Sequence, residues 1–563
     1  IQVLKEQGRL DRLRALAEEH PHPGGCGIGH TRWATHGSPT AVNAHPHRVG
    51  RTVLVHNGII ENYAALRERL AARGMTFASQ TDTEIAAGLI ESLYDGNPLN
   101  TLRKAQKELE GSFAFAILFA DRPGEIYGLR RGSPLIAAAD DTGGYLASDL
   151  PALLDYTNRY YLLEEGEMVR VAGRELSFFD RGGFPVRKQE LTAAWSVEAA
   201  RKDGYDYFML KEIDEEPAAL RDTVLARIRD GLPSLEGELP LGFFRDVRKV
   251  NFTACGTALY AGMVGKYLIE HITRIPVEVM IASEFRYCDP IIEPGTVVLA
   301  ISQSGETADT LAAMEEARLK GAPVWAIVNA IGSQAMRIAD GGVSMQVGPE
   351  IGVASTKAFT APILDLYMLA VYLADLRGTL GETERVAYVK DLLGIPGLVE
   401  KALLQEDEIE RVANKYKAMK GALYLGRGVN MPIAYEGALK LKEISYKHAE
   451  GYPAGEMKHG PIALLDEEML VVLIAPQDQW YDKMISQIEQ AKARGAQVLV
   501  IADEGDEVIK ALADEVFWIP KTPWLLSPAV TIIPLQLFAY HIAAVLGLDV
   551  DQPRNLAKSV TVE

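Results

Sequence analysis

The strongest constraint on the fold is an internal duplication in the C-terminal part of the chain. Residues 317–324 (ARLKGAPV) recur 174 positions later as residues 491–498 (AKARGAQV). The apolar strand patterns around them keep a similar spacing: 252–257 with 423–428, 297–301 with 471–475, and 324–328 with 498–501. Each half ends in an apolar helical segment, at 359–373 and 530–546. Because such alternation forms parallel sheets covered by helices on both faces, we predict two doubly wound α/β subdomains.

The first two hundred residues follow a different pattern. Short strands are predicted at 52–56, 113–119, 160–163 and 168–171, and helices at 63–73 and 82–93. This mixture is typical of an α+β domain. The polar segment 194–206 has no clean period and indicates a linker. The predicted domains are 1–194, a linker at 195–206, subdomains at 207–385 and 386–550, and a tail at 551–563.

The charge of the chain argues against some partners. The net charge is -18 and the pI is about 5.2, whereas nucleic acids and acidic membrane surfaces bind proteins through a basic face. We therefore expect no nucleic acid and no membrane as partner. The most apolar stretch, 530–548, contains Pro534, Gln536 and His541. It is predicted to be a buried core helix rather than a membrane span, and the charged residues 1–19 do not resemble a signal peptide.

The cysteines indicate a reducing compartment. Cys26, Cys255 and Cys288 form neither a CxxC pair nor an even disulfide framework, which is typical of a cytoplasmic protein. No zinc-ligand spacing is present either, and no metal or cofactor is predicted.

Residues 297–307 (VVLAISQSGET) have the composition of a phosphate-binding loop. Ser302, Ser304 and Thr307 supply hydroxyl groups, and Gly305 lets the backbone close on an anion. The helix predicted at 308–319 would direct its positive N-terminus to the same place. The lysine of a Walker loop is absent, so a small phosphorylated metabolite fits better than a nucleotide. The alternative is a polar turn capped by Thr307.

Three charged residues share one face of a predicted helix in the second half of the duplication. Glu436, Lys440 and Glu443 stand at positions i, i+4 and i+7. A carboxylate beside an amine could move protons at a sugar carbonyl. The spacing fits equally a solvated Glu–Lys pair that stabilises an exposed helix.

Two further residues could take part in such chemistry. His459 lies in a glycine–proline turn (KHGP, 458–461), where its ring could transfer protons near neutral pH, or could simply lie on the surface. Lys558 lies in a tail without helical period. It could form a Schiff base with a carbonyl if the tail folds over a site, and otherwise the tail frays.

In the N-terminal domain, polar groups concentrate in two glycine-bearing turns, at 30–37 (HTRWATHG) and 55–62 (VHNGIIEN). Arg32 could hold a carboxylate, and Asn57 with the Gly58 N–H could form an oxyanion hole. Asp82, at the start of a predicted helix, could grip an ammonium group or could be its N-cap.

Taken together, these motifs resemble one family, the glutamine-dependent fructose-6-phosphate aminotransferases. HTRWATHG, HNGIIEN and TDTE (81–84) resemble its glutaminase domain, an N-terminal-nucleophile hydrolase of four-layered αββα form. The motifs that resemble its duplicated sugar isomerase (SIS) domain are CGT (255–257), SQSGETADT (302–310), EIGVASTKAFT (350–360), EGALKLKEISY (436–446), KHGP and DQPRNLAKSVTVE (551–563).

The resemblance implies roles in the glutaminase domain. The residues that would bind glutamine are Arg32, Thr35, His36 and Asp82. Asn57 and Gly58 would form the oxyanion hole, and Trp33 would gate the passage of ammonia.

The resemblance also implies roles in the isomerase domain. The sugar phosphate would be bound by Thr257, Ser302, Gln303, Ser304 and Thr307, with the backbone around Val353 and Ser355. His459, lent by the other subunit of a homodimer, would open the sugar ring, and Lys558 would form the fructosimine. Glu443 would move the proton between C1 and C2 with help from Lys440.

One departure from the family concerns the glutaminase nucleophile. The family uses an N-terminal cysteine whose free amine is its own base, whereas this sequence starts at Ile1. About forty residues of that domain are expected to precede Ile1. Cys26 has no α-amino group beside it and cannot substitute.

The predicted reaction converts fructose 6-phosphate and glutamine into glucosamine 6-phosphate and glutamate, with internal transfer of ammonia. Three alternatives remain at this point: a synthase that uses free ammonia, a noncatalytic sugar-phosphate sensor, and an aldose–ketose isomerase or deglycase on the same fold. A sensor has no need of Glu443, His459 and Lys558 together, and a simple isomerase has no use for a glutamine site.

Overall fold

The structure is a computed structural model that describes residues 1–8, 10–32, 35–192, 201–235, 238 and 246–561. The chain divides into two compact units, residues 1–200 with 560–563, and residues 201–559. The predicted linker lies partly outside the described residues, and its boundaries stay a prediction.

The first unit contains two antiparallel sheets and a layer of helices. Its helices are α1 (Leu10–Glu19), α2 (Tyr63–Ala71), α3 (Asp82–Leu93) and α4 (Pro98–Glu108). Its strands are β1 (His47–Val49), β2 (Thr52–Ile60), β3 (Gly111–Phe119), β4 (Glu125–Arg131), β5 (Ile136–Ala139), β6 (Gly144–Ala147), β7 (Arg159–Leu162), β8 (Met168–Ala172), β9 (Glu175–Phe179), β10 (Pro185–Val186) and β11 (Leu191–Thr192). The larger sheet has the order β1-β2-β3-β4-β8-β9-β10 and the smaller one β11-β7-β5-β6.

The core of this unit lies in layers. Residues of β2 and β3 such as Leu54 and Phe115 pack against α3 through Ile85 and Leu89. Ala137 of the smaller sheet packs with residues of the larger one. The described residues therefore form three layers: a layer of helices, the larger sheet and the smaller sheet. Helix α1 buries no residue, and the fourth layer of an αββα arrangement stays a prediction.

The second unit contains the two predicted parallel sheets. Its first half consists of α5 (Phe208–Asp214), α6 (Glu216–Leu225), β12 (Ile228–Arg229), β13 (Leu232–Pro233), β14 (Lys249–Ala254), α7 (Gly256–Thr273), β15 (Val277–Ile281), α8 (Ala282–Phe285), β16 (Thr296–Ser302), α9 (Ala308–Leu319), β17 (Val324–Val328), α10 (Gln334–Ile338), β18 (Gly341–Ser344) and α11 (Lys357–Leu376). Its second half consists of α12 (Glu382–Leu403), α13 (Glu406–Tyr416), β19 (Gly421–Gly426), α14 (Met431–Ser445), β20 (His448–Pro453), β21 (Met469–Ile474), α15 (Tyr481–Lys492), β22 (Gln497–Asp503), α16 (Glu507–Leu512), β23 (Glu515–Ile519), α17 (Pro528–Thr531) and α18 (Ile533–Val545).

The two sheets have the same topology. The orders are β15-β14-β16-β17-β18 and β20-β19-β21-β22-β23, and every pairing in both is parallel. All seven residues of β16 are buried, because helices cover both faces of the sheet and no alternation with polar residues is possible. The duplication in the sequence is thus a duplication of the doubly wound fold.

Proline decides how the last apolar segment folds. The predicted helix at 530–546 is two helices, α17 and α18, and Pro534 lies in the first turn of α18. Proline lacks the N–H that a helix interior requires, but the first turn leaves that group unused. The segments Lys357–Leu376 and Pro528–Val545 are long and apolar enough to cross a membrane, yet each is 89% buried inside the unit, as expected for core helices.

Candidate active sites

The hydroxyl loop lies at the carboxyl edge of the first parallel sheet. Ser302 is the last residue of β16 rather than part of the loop, and its Oγ accepts a hydrogen bond from the Gly305 N–H at 2.9 Å. Thr307 is the N-cap residue of α9, but its side chain makes no capping bond, and its Oγ1 lies 3.4 Å from Ser302 Oγ. The simple capped turn is therefore wrong, because the hydroxyl groups gather at the start of the helix instead.

The backbone of this loop is held by the residues that follow β17. The Gln303 carbonyl accepts bonds from the N–H groups of Asn329 and Ala330, both at 3.1 Å. Gly305 has a φ of +65°, and a Cβ there would lie 2.1 Å from Ser333 Oγ. Ser333 Oγ is buried without a hydrogen-bond partner among the described residues. The sequence reasoning missed this hydroxyl, because nothing in its local pattern places it beside the loop.

The charged face of α14 is buried. Lys440 Nζ lies 3.4 Å from Glu436 Oε1 and 2.7 Å from Glu443 Oε2. The side chains of Lys440 and Glu436 are 1% and 0% exposed, whereas that of Glu443 is 21% exposed. The solvated ion pair is therefore the wrong interpretation. Glu443 is the member of the trio that reaches solvent.

Thr257 joins this face to the other half of the duplication. Its hydroxyl, in the first turn of α7, donates to Glu436 Oε1 at 3.1 Å and accepts from Lys440 Nζ at 3.2 Å. Burial, with the Glu443 charge, raises the pKa of Glu436 to about 8 although Lys440 opposes the shift. Burial lowers the pKa of Lys440, but the two carboxylates outweigh it and hold the pKa above its usual value.

The C-terminal tail does not fray. Lys558 Nζ donates to Glu350 Oε2, to the Gly352 carbonyl at 2.8 Å and to Ser355 Oγ at 3.2 Å. Its side chain is 15% exposed and that of Glu350 is fully buried. The amine is thus held against the loop that follows β18.

Two residues, Asp551 and Arg554, anchor the tail further. Asp551 accepts from the N–H groups of Phe208 and Met209 at the start of α5, and its carbonyl accepts from the Val353 N–H at 3.0 Å. The Arg554 N–H donates to the Tyr446 hydroxyl at 2.8 Å, directly after α14. Within the backbone around Val353 and Ser355, which was expected to contribute to the phosphate site, the Val353 N–H is thus bonded to the tail.

The structure does not bring His459 to the other candidates. It ends the 3-10 turn Ala454–His459 and is exposed. Within the part of the chain that is described, it makes no hydrogen bond or ion pair with them.

In the first unit, Arg32 is occupied by the backbone. Its guanidinium donates to the carbonyls of His36 at 2.6 Å, Gly37 at 2.9 Å and Ser38 at 3.2 Å. Burial lowers its pKa. In this structure Arg32 therefore shapes the 36–38 turn, and Thr35 Oγ1 lies 3.2 Å from His36 Nδ1 in the same turn. Trp33 lies outside the described residues.

Asp82 is not a helix cap. Thr81 is the N-cap of α3 and accepts from the Glu84 N–H. Asp82 is buried at the first helical position and accepts from the N–H groups of Ile60 and Thr83, each at 2.9 Å. His36 Nδ1 and His56 Nδ1 each lie 3.8 Å from its carboxylate. The cap interpretation was wrong because the preceding hydroxyl takes that place.

Asn57 and Gly58 lie in strand β2 and not in a turn. The strand continues to Ile60, and its pairing with β3 extends through both residues. Gly58 has a φ of +133°, and a Cβ would meet the Ser112 carbonyl at 2.1 Å. Only glycine fits at this position, because β3 passes too close for a Cβ atom. The local sequence pattern could not reveal that neighbouring strand.

A group of four histidines, His30, His45, His47 and His56, was not predicted. The rings of His30 and His45 stack at 4.4 Å, and His45 and His47 meet edge to face at 5.3 Å. Burial, with neighbouring positive groups, lowers the pKa of His30 and His47 to about 4. Burial also lowers the pKa of His45 and His56. The close spacing of His45 and His47, on either side of Pro46, was the available signal.

The surroundings of Cys26 do not activate its thiol. The residue as a whole is exposed, but partial burial of its thiol raises the pKa of that group. A raised pKa reduces the fraction of reactive thiolate at neutral pH.

Comparison with known proteins assigns the class. A glutamine amidotransferase domain model matches residues 31–155, and an SIS domain model matches residues 243–372 and 416–546. The chain therefore joins a glutamine amidotransferase domain to a pair of SIS domains, one for each parallel sheet of the second unit.

Related proteins define the family. The glutamine–fructose-6-phosphate aminotransferase [isomerizing] of Thermus thermophilus is 48% identical over 100% of this chain and 93% of its own length. The protein of the same name from Aquifex aeolicus is 47% identical with the same coverage. The chain belongs to the glutamine–fructose-6-phosphate aminotransferase (isomerizing) family.

A solved structure agrees with this assignment. The C-terminal domain of glucosamine-fructose-6-phosphate aminotransferase from Francisella tularensis is 40% identical, with a TM-score of 0.60. The match covers 62% of this chain and 100% of the solved chain.

Proposed function

We propose that the protein transfers the amide nitrogen of glutamine to fructose 6-phosphate and isomerises the product to glucosamine 6-phosphate, releasing glutamate. The observation that carries the proposal is Lys558. Its amine lies at the carboxyl edge of the first parallel sheet, held by Glu350, Gly352 and Ser355. An amine at that edge can form an imine with a sugar carbonyl.

The sugar phosphate binds at the hydroxyl loop in this proposal. Ser302, Ser304 and Thr307, the Gln303 side chain and the start of α9 hold the phosphate, with the loop around Val353 and Ser355 beside it. Thr257 links this place to α14. Glu443, the accessible carboxylate of the trio, moves the proton between C1 and C2, and Lys440 next to it stabilises the charge that develops.

The first unit supplies ammonia. Its proposed fold is the four-layered αββα form of N-terminal-nucleophile hydrolases, with the domain boundaries given by the sequence. Asp82 grips the ammonium group of glutamine, Arg32, Thr35 and His36 form the rest of the site, and Asn57 with Gly58 forms the oxyanion hole. Trp33 gates the transfer of ammonia. Arg32 must exchange its bonds to the 36–38 carbonyls for a carboxylate when glutamine binds.

The proposed assembly is a cytoplasmic homodimer. Exposed His459 opens the sugar ring in the site of the other subunit. Two arguments support this: among the described residues His459 does not contact the other candidates, and opening the ring requires a proton donor at the ring oxygen.

Mass spectrometry of the sugar product tests the proposal. The protein is given fructose 6-phosphate, glutamine labelled with ¹⁵N at the amide and an excess of unlabelled ammonium. Labelled glucosamine 6-phosphate is the expected product, because internal transfer keeps the released ammonia from the bulk pool.

Other outcomes of this experiment identify the alternatives. Unlabelled product alone points to a synthase that uses free ammonia, and glucose 6-phosphate alone points to an isomerase. Binding of fructose 6-phosphate without any conversion, with either nitrogen source, contradicts the proposal and leaves a sensor. The Lys558→Met variant is the control and forms no aminated sugar.

A further inference from the structure

Glu350 is the buried partner of the tail lysine. It lies in the loop between β18 and α11, and its Oε1 accepts from the N–H groups of Thr356 at 2.9 Å and Ala358 at 3.0 Å. These bonds fix the carboxylate so that Oε2 faces Lys558 Nζ. The ion pair has one fully buried member and one member that is 15% exposed.

Among the described residues that contact Lys558, one can accept its proton. An amine attacks a carbonyl only through a free lone pair, so an ammonium ion must first lose a proton. The Gly352 carbonyl and the Ser355 hydroxyl, its other two partners, are not bases near neutral pH. Glu350 is a base in direct contact, and no proton has to travel.

A second buried carboxylate holds the loop that carries Glu350. Glu212 of α5 accepts from the N–H groups of Ile351 and Gly352 through Oε1, the latter at 3.2 Å. Burial and the Glu350 charge raise the pKa of Glu212. Glu212 thus places a second acidic group beside Glu350 without touching Lys558.

The electrostatic surroundings of this pair come from several elements. Lys558 interacts electrostatically with both Glu350 and Glu212, and Lys357 interacts with Glu212. The Glu350 charge in turn affects the pKa values of Lys440 and Glu216. Burial alone raises the pKa of Glu350, but the Lys558 ammonium and the two N–H donors outweigh burial and bring it below its usual value. The carboxylate form of Glu350 is therefore favoured beside Lys558.

We propose that Glu350 is a catalytic residue that takes the proton from the Lys558 ammonium, and that Glu212 is a positioning residue that holds Glu350 for this transfer. The inference rests on the proposed function, since it concerns the imine that Lys558 forms. When the sugar displaces water from Lys558, separated charges become costly and the neutral pair of amine and carboxylic acid is favoured.

The step balances in protons and electrons. The Lys558 ammonium gives one proton to the Glu350 carboxylate. The nitrogen lone pair then forms a bond to C2 of the open-chain sugar while the C=O π pair moves to oxygen, and one amine proton passes to that oxygen. The carboxylic acid of Glu350 protonates the resulting hydroxyl group, which leaves as water, and the nitrogen lone pair forms the C=N bond. The products are a protonated imine, water and the original carboxylate.

Reductive trapping tests the inference. Protein and fructose 6-phosphate are mixed with cyanoborohydride from pH 6 to pH 10, and the adduct on Lys558 is followed by intact and peptide mass. We expect the Glu350→Gln variant to be trapped about 100-fold more slowly than wild type at pH 7. Its rate should then recover towards pH 10, where a free lysine amine becomes neutral.

Three controls accompany this comparison. Glu278→Gln, at a half-exposed carboxylate paired with Lys249, is the matched surface variant and keeps the wild-type rate. Lys558→Met forms no adduct. Glu350→Asp keeps a carboxylate and is expected to keep the wild-type pH dependence at a lower rate. Thermal melting with and without fructose 6-phosphate shows that each variant is folded and binds sugar.

The outcomes separate the two levels of the argument. Trapping of Glu350→Gln at the wild-type rate and pH dependence overturns the inference and leaves the proposed function intact. An absence of adduct in wild type removes the imine and with it the proposed function. If Glu350→Gln does not fold, Glu212→Gln decides: slower trapping at pH 7 with a profile shifted to higher pH is expected, and an unchanged profile rejects the positioning role.

Discussion

Individual carboxyl groups in the second unit have raised pKa values because they are buried. Burial is the largest cause in each case and raises the pKa of Glu216 and Glu436 to about 8 and that of Asp365 to about 7. Nearby lysine and arginine side chains, such as Arg227 at 3.2 Å from Asp365, reduce the shift without cancelling it. These groups bind protons more tightly in the folded state than in the unfolded state.

At the residue scale we predict that Glu216→Gln stabilises the protein in a pH-dependent manner. The pKa of Glu216 is raised from 4.5 to about 8 in the folded state. Its contribution to stability is complete below pH 4.5 and is lost as the pH rises towards 8. The variant should therefore match wild type near pH 5 and exceed it by a few kcal/mol at pH 8 or above. Denaturant unfolding at both pH values measures this, and an equal difference at both would contradict it.

At the element scale, the loop after β16 requires glycine at position 305 for two reasons, its backbone conformation and the closeness of Ser333. The φ of Gly305 is +65° and a Cβ would lie 2.1 Å from Ser333 Oγ. We predict that Gly305→Ala weakens fructose 6-phosphate binding by about tenfold or more, because the loop must move away from Ser333. Titration calorimetry gives the affinity.

A matched variant separates strain from contact. Gly321 has a φ of +80°, but no atom lies within 4 Å of a Cβ built there. Gly321→Ala should lose about 1 kcal/mol of stability and keep the affinity for the sugar phosphate. Equal loss of affinity in both variants would reject the role of the contact with Ser333.

The junction of α14 and the tail supplies a second prediction at this scale. Tyr446 follows α14 with a φ of +59°, its hydroxyl accepts from the Arg554 N–H, and its ring faces the Arg554 guanidinium. Tyr446→Phe removes only the hydrogen bond, worth about 1 kcal/mol. We expect faster hydrogen exchange in residues 551–559 and slower trapping of Lys558, with little change in melting temperature. Unchanged exchange in the tail would show that other contacts suffice.

At the scale of the whole molecule, we predict that the two units respond oppositely to acid. His30 and His47 of the first unit have lowered pKa values, so that the unfolded state binds more protons as the pH falls from about 6.5 to about 4. The buried carboxyl groups of the second unit have raised values, so that this unit gains stability as the pH falls from 8 towards 4.5.

Calorimetry at pH 8 and pH 5 should therefore show two melting transitions that move in opposite directions on acidification. The first unit should melt several degrees lower at pH 5 and the second several degrees higher. His47→Gln should reduce the loss in the first unit, because Gln carries no titratable group beside Thr81. Transitions that shift together would contradict this expectation.

Sequence reasoning was successful where information is local. The helix predicted at 308–319 is α9 with the same bounds, and the strand at 324–328 is β17. It failed where a remote partner decides the outcome. Asn57 and Gly58 adopt strand conformation because β3 pairs with them. Lys558 is held in place because Glu350, 208 residues away in sequence, accepts a hydrogen bond from its amine. Glu350 stands in the motif EIGVASTKAFT (350–360), but no local pattern shows that its side chain is fully buried.

The sequence alone determined the duplication, the two parallel sheets, the loop at the end of β16 and the residue types available for chemistry. These follow from periodicity and from repetition along the chain, which are local properties. Only the tertiary structure decided that Glu436 and Lys440 are buried and bonded to Thr257, that Glu212 of α5 binds the loop that carries Glu350, and that four histidines pack together. Burial and pairing of charges depend on which elements pack against each other, and that packing sets both the pKa values and the proposed path of the proton.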